Sequence, residues 1–121
     1  MKSQSELKLV EKLNTAIEGD VLSGPYHCGR YATDASVYQM MPLGVVLPKT
    51  HEDVKACLEI AKACGTAVLA RGGGTSQCGQ TVNQALVIDH SRYMNQLVEL
   101  DVENRRCLVE PGIVLLSLIH I

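Results

Sequence analysis

The sequence predicts a fold of mixed α and β structure, built on a parallel strand–helix–strand unit that feeds a glycine-rich loop. Three observations point there. Two short apolar runs, Gly44-Val45-Val46-Leu47-Pro48 and Thr66 to Ala70, flank an amphipathic helical stretch. The loop Arg71-Gly72-Gly73-Gly74-Thr75-Ser76-Gln77-Cys78-Gly79 leaves the second run directly. Further on, Gln96 to Leu100 and Arg106 to Val109 read as two strands joined by the polar turn Asp101-Val102-Glu103-Asn104-Arg105.

Taken in order, Leu7, Val10, Leu13 and Ile17 recur at helical spacing, with Lys8, Glu11 and Lys12 opposite them. A surface helix is expected from Ser5 to about Glu18, capped by Ser5 or Ser3 and stopped by Gly19. Asp20 to Tyr38 reads as irregular, with Gly24-Pro25 as a breaker. Its Arg30 to Tyr38 portion fits two readings equally. It either serves a site, as polar loops of this length often do, or packs on itself with Asp34 or Ser36 capping a turn. Gly44 to Pro48 is a buried strand ended by proline. Thr50 then caps a helix, with Asp53 at the capping-box position and Glu52 and Asp53 favouring its positive end. Val54, Leu58 and Ala61, flanked by Cys57 and Cys64, form its apolar stripe, and Gly65 stops it. Thr66 to Ala70 completes a right-handed βαβ unit with a parallel pair. Leu86 to Asp89 is a third strand, and Pro111-Gly112 breaks the pattern after the hairpin.

Length and composition exclude several functions. The chain has 121 residues, a net charge of −2 and 3% aromatic content, with no Phe or Trp. One domain is the default. Lys and Arg are scattered, so neither nucleic acid nor an anionic membrane is an expected partner. The longest apolar run, Ile113 to Ile121, is interrupted by Ser117 and His120 and is too short to span a bilayer. The five cysteines form no C-x-x-C pair, so metal binding is not expected. Their odd number, without a leader pattern, favours a reducing, cytoplasmic setting. An apolar terminus is costly to expose, so the chain is expected to be cut off inside a larger domain.

The glycine loop carries the chemistry. Three successive glycines cost conformational entropy and belong where the backbone turns sharply or comes very close to something. Consecutive amides in such a turn form a concavity for an anion. Thr75 and Ser76 add hydroxyls and Arg71 adds a positive charge, so the set suits a phosphate or pyrophosphate. The pattern is neither of two familiar phosphate loops. The dinucleotide fingerprint fails because Gln77 stands where its third glycine belongs. The P-loop pattern fails because Gln80 replaces its lysine and a strand follows in place of a helix. A glycine-rich turn without a ligand is the alternative. His27, His51, His90 and His120 are isolated, and none is a convincing general base.

The ordered set of motifs resembles a known family. Arg30-Tyr31-Ala32-Thr33-Asp34-Ala35-Ser36-Val37-Tyr38 comes first. Pro42 to Pro48, Thr50-x-x-Asp53-Val54, Arg71 to Ser76, Leu86 to Asp89 and Val109-Glu110-Pro111-Gly112 follow. They resemble the amino-terminal part of FAD-linked oxidases with the vanillyl-alcohol-oxidase (PCMH) type of flavin domain. Within that group the set looks most like the branch of D-lactate dehydrogenase and the flavin-binding polypeptide of glycolate oxidase. The resemblance implies an α+β fold. Its first subdomain, a small parallel sheet with helices, would be complete, and only the opening strands of the second present. Residues 1–22 would form an N-terminal helix and lead-in, 23–118 a partial FAD-binding domain, and 119–121 a divergent end.

By resemblance, Arg71, Gly72, Gly73, Gly74, Thr75, Ser76, Gln77, Cys78 and Gly79 match the loop that binds the FAD pyrophosphate, and Pro48 matches the edge of the adenosine site. Some relatives hold flavin covalently through a histidine in this loop. Thr75 stands at that position, which implies non-covalent FAD. The implied parent oxidises a 2-hydroxy acid of the D-lactate or glycolate type. The Thr75 to Gln80 version of the loop is similar to that of members carrying iron–sulfur modules. The catalytic residues would lie outside this chain, leaving it inactive alone. A non-catalytic nucleotide- or phosphate-binding module, or an inactive fragment, is the alternative.

Overall fold

The computed structural model describes residues 4–120, less the side chain of Ser5. Ser3 and the Ser5 side chain, named above as caps, lie outside the described residues, as does Ile121. Three strands run parallel and a fourth runs against them. In the sheet order β1-β2-β4-β3, β1 (Asp20–Leu22) pairs antiparallel with β2 (Gly44–Leu47), while β4 (Leu86–Asp89) lies parallel between β2 and β3 (Val68–Arg71). The strand–helix–strand unit is thus present, but its two strands are not neighbours. The all-apolar β4 takes the central place, and β3 is left on the edge with Val68 exposed. Both β2 and β4 are buried along their whole length, as continuous apolar runs in a covered parallel sheet must be.

Helices α1 (Gln4–Ala16) and α3 (His51–Ala63) cover one face. Leu9, Leu13, Val46, Cys57, Ala61, Leu86 and Ile88 form that core. The stripes differ in phase from the expected ones. On α1, Leu9 and Leu13 point inward while Leu7 is half exposed. On α3, Cys57 and Ala61 are buried while Leu58 is half exposed. Several apolar residues per turn admit more than one stripe, and the packing partner selects one.

Helix α3 starts as expected: Thr50 Oγ1 accepts from the Asp53 amide at 3.1 Å. The Asp53 carboxylate, however, does not simply close the capping box. It is 3% exposed and accepts from the amides of Glu18 (2.9 Å), Gly19 (3.1 Å) and Lys49 (2.9 Å). One side chain therefore ties the end of α1, the start of β1 and the exit of β2 to the helix. Burial pushes its pKa up, but the amides of Lys49, Glu18, Thr50 and Gly19 outweigh burial and hold it below the usual carboxylate range. At the other end, Thr66 donates to the Ala61 carbonyl and Gly65 to that of Lys62, with Gly65 at φ +63°. This is a Schellman stop, as the glycine implied.

The stretch expected to be irregular contains β1 and a short helix, α2 (Pro25–Gly29), the latter covering part of the sheet with buried Cys28. The hairpin β5 (Leu97–Asp101) and β6 (Arg106–Val109) forms as expected, with a bulge at Leu97/Glu99. The apolar end adds α4 (Leu115–Ile119), whose Leu115, Leu116 and Ile119 are exposed. No helix among the described residues is long and apolar enough to cross a membrane.

Candidate functional site

The carboxyl ends of β3 and β4 open onto a groove of about 580 Å³. Gly72, Gly73 and Thr75 form one wall, Ser91 and Asn95 the floor, and the 111–117 segment the other wall. Asn95 is held by its side-chain amide, which donates to the Ser91 carbonyl at 2.9 Å. Asp89, at the end of β4, accepts from the Ser91 amide (2.9 Å) and from the Tyr31 hydroxyl (2.7 Å). Burial first, then this bond to Asp89, pushes the Tyr31 phenol up to about 12, so it stays a donor through neutral pH. His90 is buried beside it, and burial lowers its pKa against the pull of Asp89.

The loop's glycines divide into two kinds. Gly74 and Gly79 have φ of +67° and +77°, a region that favours glycine. A β-carbon on Gly74 would lie 2.4 Å from the Arg71 guanidinium, and one on Gly79 would lie 2.6 Å from the Tyr38 ring. The chain itself demands these two. Gly72 and Gly73 are different. Neither has a left-handed φ, and added β-carbons would meet only the Pro111 carbonyl at 3.8 Å and Thr75 Cγ2 at 3.6 Å, ordinary contacts. Nothing in the chain requires their bareness, and both line the groove. Among the described residues, the main-chain amides from Gly73 to Gln77 donate to no protein acceptor. Successive amides left open over bare glycines can hold an anion.

Three side chains named from sequence are directed elsewhere. The Arg71 guanidinium donates to the carbonyls of Thr33 (2.9 Å), Thr81 (3.0 Å) and Tyr31 (3.5 Å) and sits 5.2 Å from the centre of the Tyr31 ring. Its donors organise the loop from behind. The Ser76 hydroxyl accepts from the amides of Cys78 and Gln80 and donates to the Gln80 side chain, so it too works inside the loop. Pro48 is fully buried and offers no surface to a ligand. Gln77 and Cys78 are exposed, and neither is among the residues lining the groove. Ser91 and Asn95 were missed. They sit in an ordinary polar turn after β4, and only the fold brings them under the glycine loop.

A family model described as an FAD binding domain matches residues 42–121. The chain belongs to this FAD-binding family. D-2-hydroxyglutarate dehydrogenase of Pantoea ananatis (strain AJ13355) is 38% identical over 86 residues, covering 69% of this chain and 8% of that protein. The enzyme of that name from Haemophilus influenzae is 35% identical over 100 residues, covering 80% of this chain and 10% of the relative. Glycolate oxidase subunit GlcD of Bacillus subtilis (strain 168) is 33% identical over 92 residues, 74% of this chain and 20% of the relative. The FAD-binding chain thus spans 8 to 20% of the length of these relatives. Among solved structures, alkyldihydroxyacetonephosphate synthase superposes with a TM-score of 0.79 at 20% identity, over 94% of this chain and 24% of that one. For p-cresol methylhydroxylase the TM-score is 0.73 at 20% identity, over 98% and 25%. These likenesses show the fold, an α+β domain of the PCMH type. The open amides and bare glycines of the FAD-binding domain fit the doubly charged pyrophosphate of that cofactor.

Proposed function

We propose that this chain supplies the pyrophosphate-binding part of the FAD site in an oxidoreductase acting on a 2-hydroxy acid. The observation that carries the reading is the row of open amides from Gly73 to Gln77, beside glycines that the fold does not otherwise need. Gly72, Gly73 and Thr75, which line the groove, would face the bridge of the dinucleotide, and the positive φ of Gly74 and Gly79 would set the loop's curvature around it. Thr75 offers no imidazole to form a covalent link, so FAD is held by hydrogen bonds and packing. Bound FAD supplies the acceptor for a hydride leaving the α-carbon of the substrate. The part of this chain is to hold and orient that group. The relatives named for D-2-hydroxyglutarate and glycolate support a 2-hydroxy-acid substrate, of which D-lactate is a further candidate. An iron–sulfur module elsewhere in a longer protein belongs to the same proposal and rests only on the Thr75 to Gln80 loop.

The test is a titration of the purified chain with FAD, followed by quenching of flavin fluorescence, with ADP and inorganic pyrophosphate as competitors. Displacement of FAD by both is the expected result. Uptake of FAD that neither displaces would move the site away from this loop. Retention of ATP with no uptake of FAD would favour a nucleotide-binding module without redox chemistry.

A further inference from the structure

The 30–38 segment touches the glycine loop at its beginning, middle and end. At the beginning, the Arg71 guanidinium takes the carbonyls of Tyr31 and Thr33, while reaching Thr81 at the loop's exit. In the middle, the Ala35 amide donates to the Gly74 carbonyl at 3.2 Å. At the end, the Tyr38 ring packs on Gly79, and the Thr81 hydroxyl donates to Asp34 Oδ2 at 2.9 Å. The segment is itself stiffened. Asp34 Oδ1 accepts from the Ser36 amide (2.8 Å) and Ser36 Oγ from the Tyr38 amide (3.1 Å), while Met40 donates to the Ala32 carbonyl (2.9 Å). The segment therefore packs on itself, as one of its two readings expected, and its contacts reach the glycine loop.

A loop with five open amides and several glycines has little of its own to hold one shape, since glycine loses the most conformational freedom on ordering. An anion that had to order the loop would bind more weakly by that cost. We propose that the 30–38 segment is a brace that presets the glycine loop for its anion. Arg71 and Asp34 act as positioning residues that do not touch the ligand. The proposal rests on the FAD reading only for the identity of that anion. It makes a counterintuitive demand on Asp34. A carboxylate near an anion site opposes binding by charge, so its removal should tighten binding if charge alone mattered. A brace predicts the reverse.

The experiment uses the purified chain and its Asp34→Ala, Asp34→Asn, Arg71→Lys and Arg71→Met variants, with two readouts. Hydrogen exchange of the bonded amides of Ala35, Cys78 and Gln80 without ligand reports the loop's order. FAD titration reports its effect. Asp34→Ala is expected to speed exchange at these amides and weaken FAD binding by about tenfold, the scale of one charge-assisted hydrogen bond. Asp34→Asn, which keeps the shape and an acceptor for Ser36, is expected to stay near wild type in both. Arg71→Lys keeps the charge but cannot fork to three carbonyls, so it should fall nearly as far as Arg71→Met. Wild-type exchange in Asp34→Ala, or full FAD affinity in Arg71→Lys, would overturn the brace. If Arg71 variants fail to fold, the Asp34 pair decides. If the wild-type chain takes up no FAD, the flavin reading fails, and the exchange data alone still judge the brace.

Discussion

Adjacent glycines in one loop are expected to respond in opposite ways to the same added methyl. At Gly73 the backbone lies outside the left-handed region, and the methyl would rest 3.6 Å from Thr75 Cγ2. Gly73→Ala therefore adds no strain and removes freedom from the unfolded chain, a gain of about 0.4–1 kcal/mol. At Gly74, φ is +67° and the methyl would sit 2.4 Å from Arg71 Nη2. The left-handed conformation costs alanine about 1–2 kcal/mol. Displacing the guanidinium loses about 1 kcal/mol more, at the low end because its bonds are partly solvated. Gly74→Ala is thus expected to lose about 2–3 kcal/mol. Urea unfolding followed by circular dichroism measures both. Binding should not follow stability. On the proposed site the Gly73 methyl would stand between the anion and the open amides, so the more stable variant should bind FAD about 10- to 100-fold more weakly, the loss of one or two charge-assisted hydrogen bonds. A Gly73→Ala protein that titrates with FAD like wild type would refute the assignment of that wall. A Gly74→Ala protein of wild-type stability would refute the division of the glycines.

Other expectations concern the scaffold. Asp53→Ala strips acceptors from three amides and should lower stability by about 3 kcal/mol, at about 1 kcal/mol each. Its urea midpoint should fall with the slope unchanged. The pH dependence has a definite sign. Asp53 is depressed below 3.8 in the folded chain, so its contribution is complete above that value and is lost as pH falls through the lower folded pKa. An acid titration of stability should therefore drop more steeply below about pH 4 for wild type than for Asp53→Asn. The thiols should separate by position. Cys78 and Cys107 are exposed and should alkylate in the folded chain. Cys57, pushed up to about 11 by burial and then by Asp53, should be modified only after unfolding, as peptide mass mapping would report.

How much of this was legible in the sequence follows from how local each feature is. Helix α3 could be read at both ends because Thr50 and Gly65 act within one turn of it. The hairpin could be read because its turn is polar and its strands are adjacent in the chain. Strand β1 was hidden. Its three residues carry no alternation, and β2, more than twenty residues later, is what makes them a strand. The place of β4 between β2 and β3 is likewise a fact of long-range pairing. For the site, the bare backbone was legible as a place of close approach. The direction of the Arg71 side chain was not, because two of its three acceptors are carbonyls supplied by a segment about forty residues away.

That direction has a consequence for how the anion is recognised. The chain's net charge is −2, so no broad field draws an anion toward it. Locally, the Arg71 charge is turned onto the carbonyls of Tyr31, Thr33 and Thr81, and the Asp34 carboxylate lies across Thr81 from it. The hydroxyl and amide of Ser36, then Thr81, against some burial, hold Asp34 down at about 2, so it is ionised at neutral pH. One positive and one negative group therefore flank the loop, and attraction falls to the open amides, which are dipoles acting at contact. Dipoles at hydrogen-bond range are little affected by a salt atmosphere that screens over about 10 Å at 0.1 M. FAD affinity should accordingly change by less than about threefold between low salt and about 0.5 M salt, whereas recognition by free lysine or arginine charges would weaken steeply. A fluorescence titration repeated across that range measures the slope. A steep decline would mean that a full positive charge meets the pyrophosphate and that Arg71 leaves its carbonyls to do so.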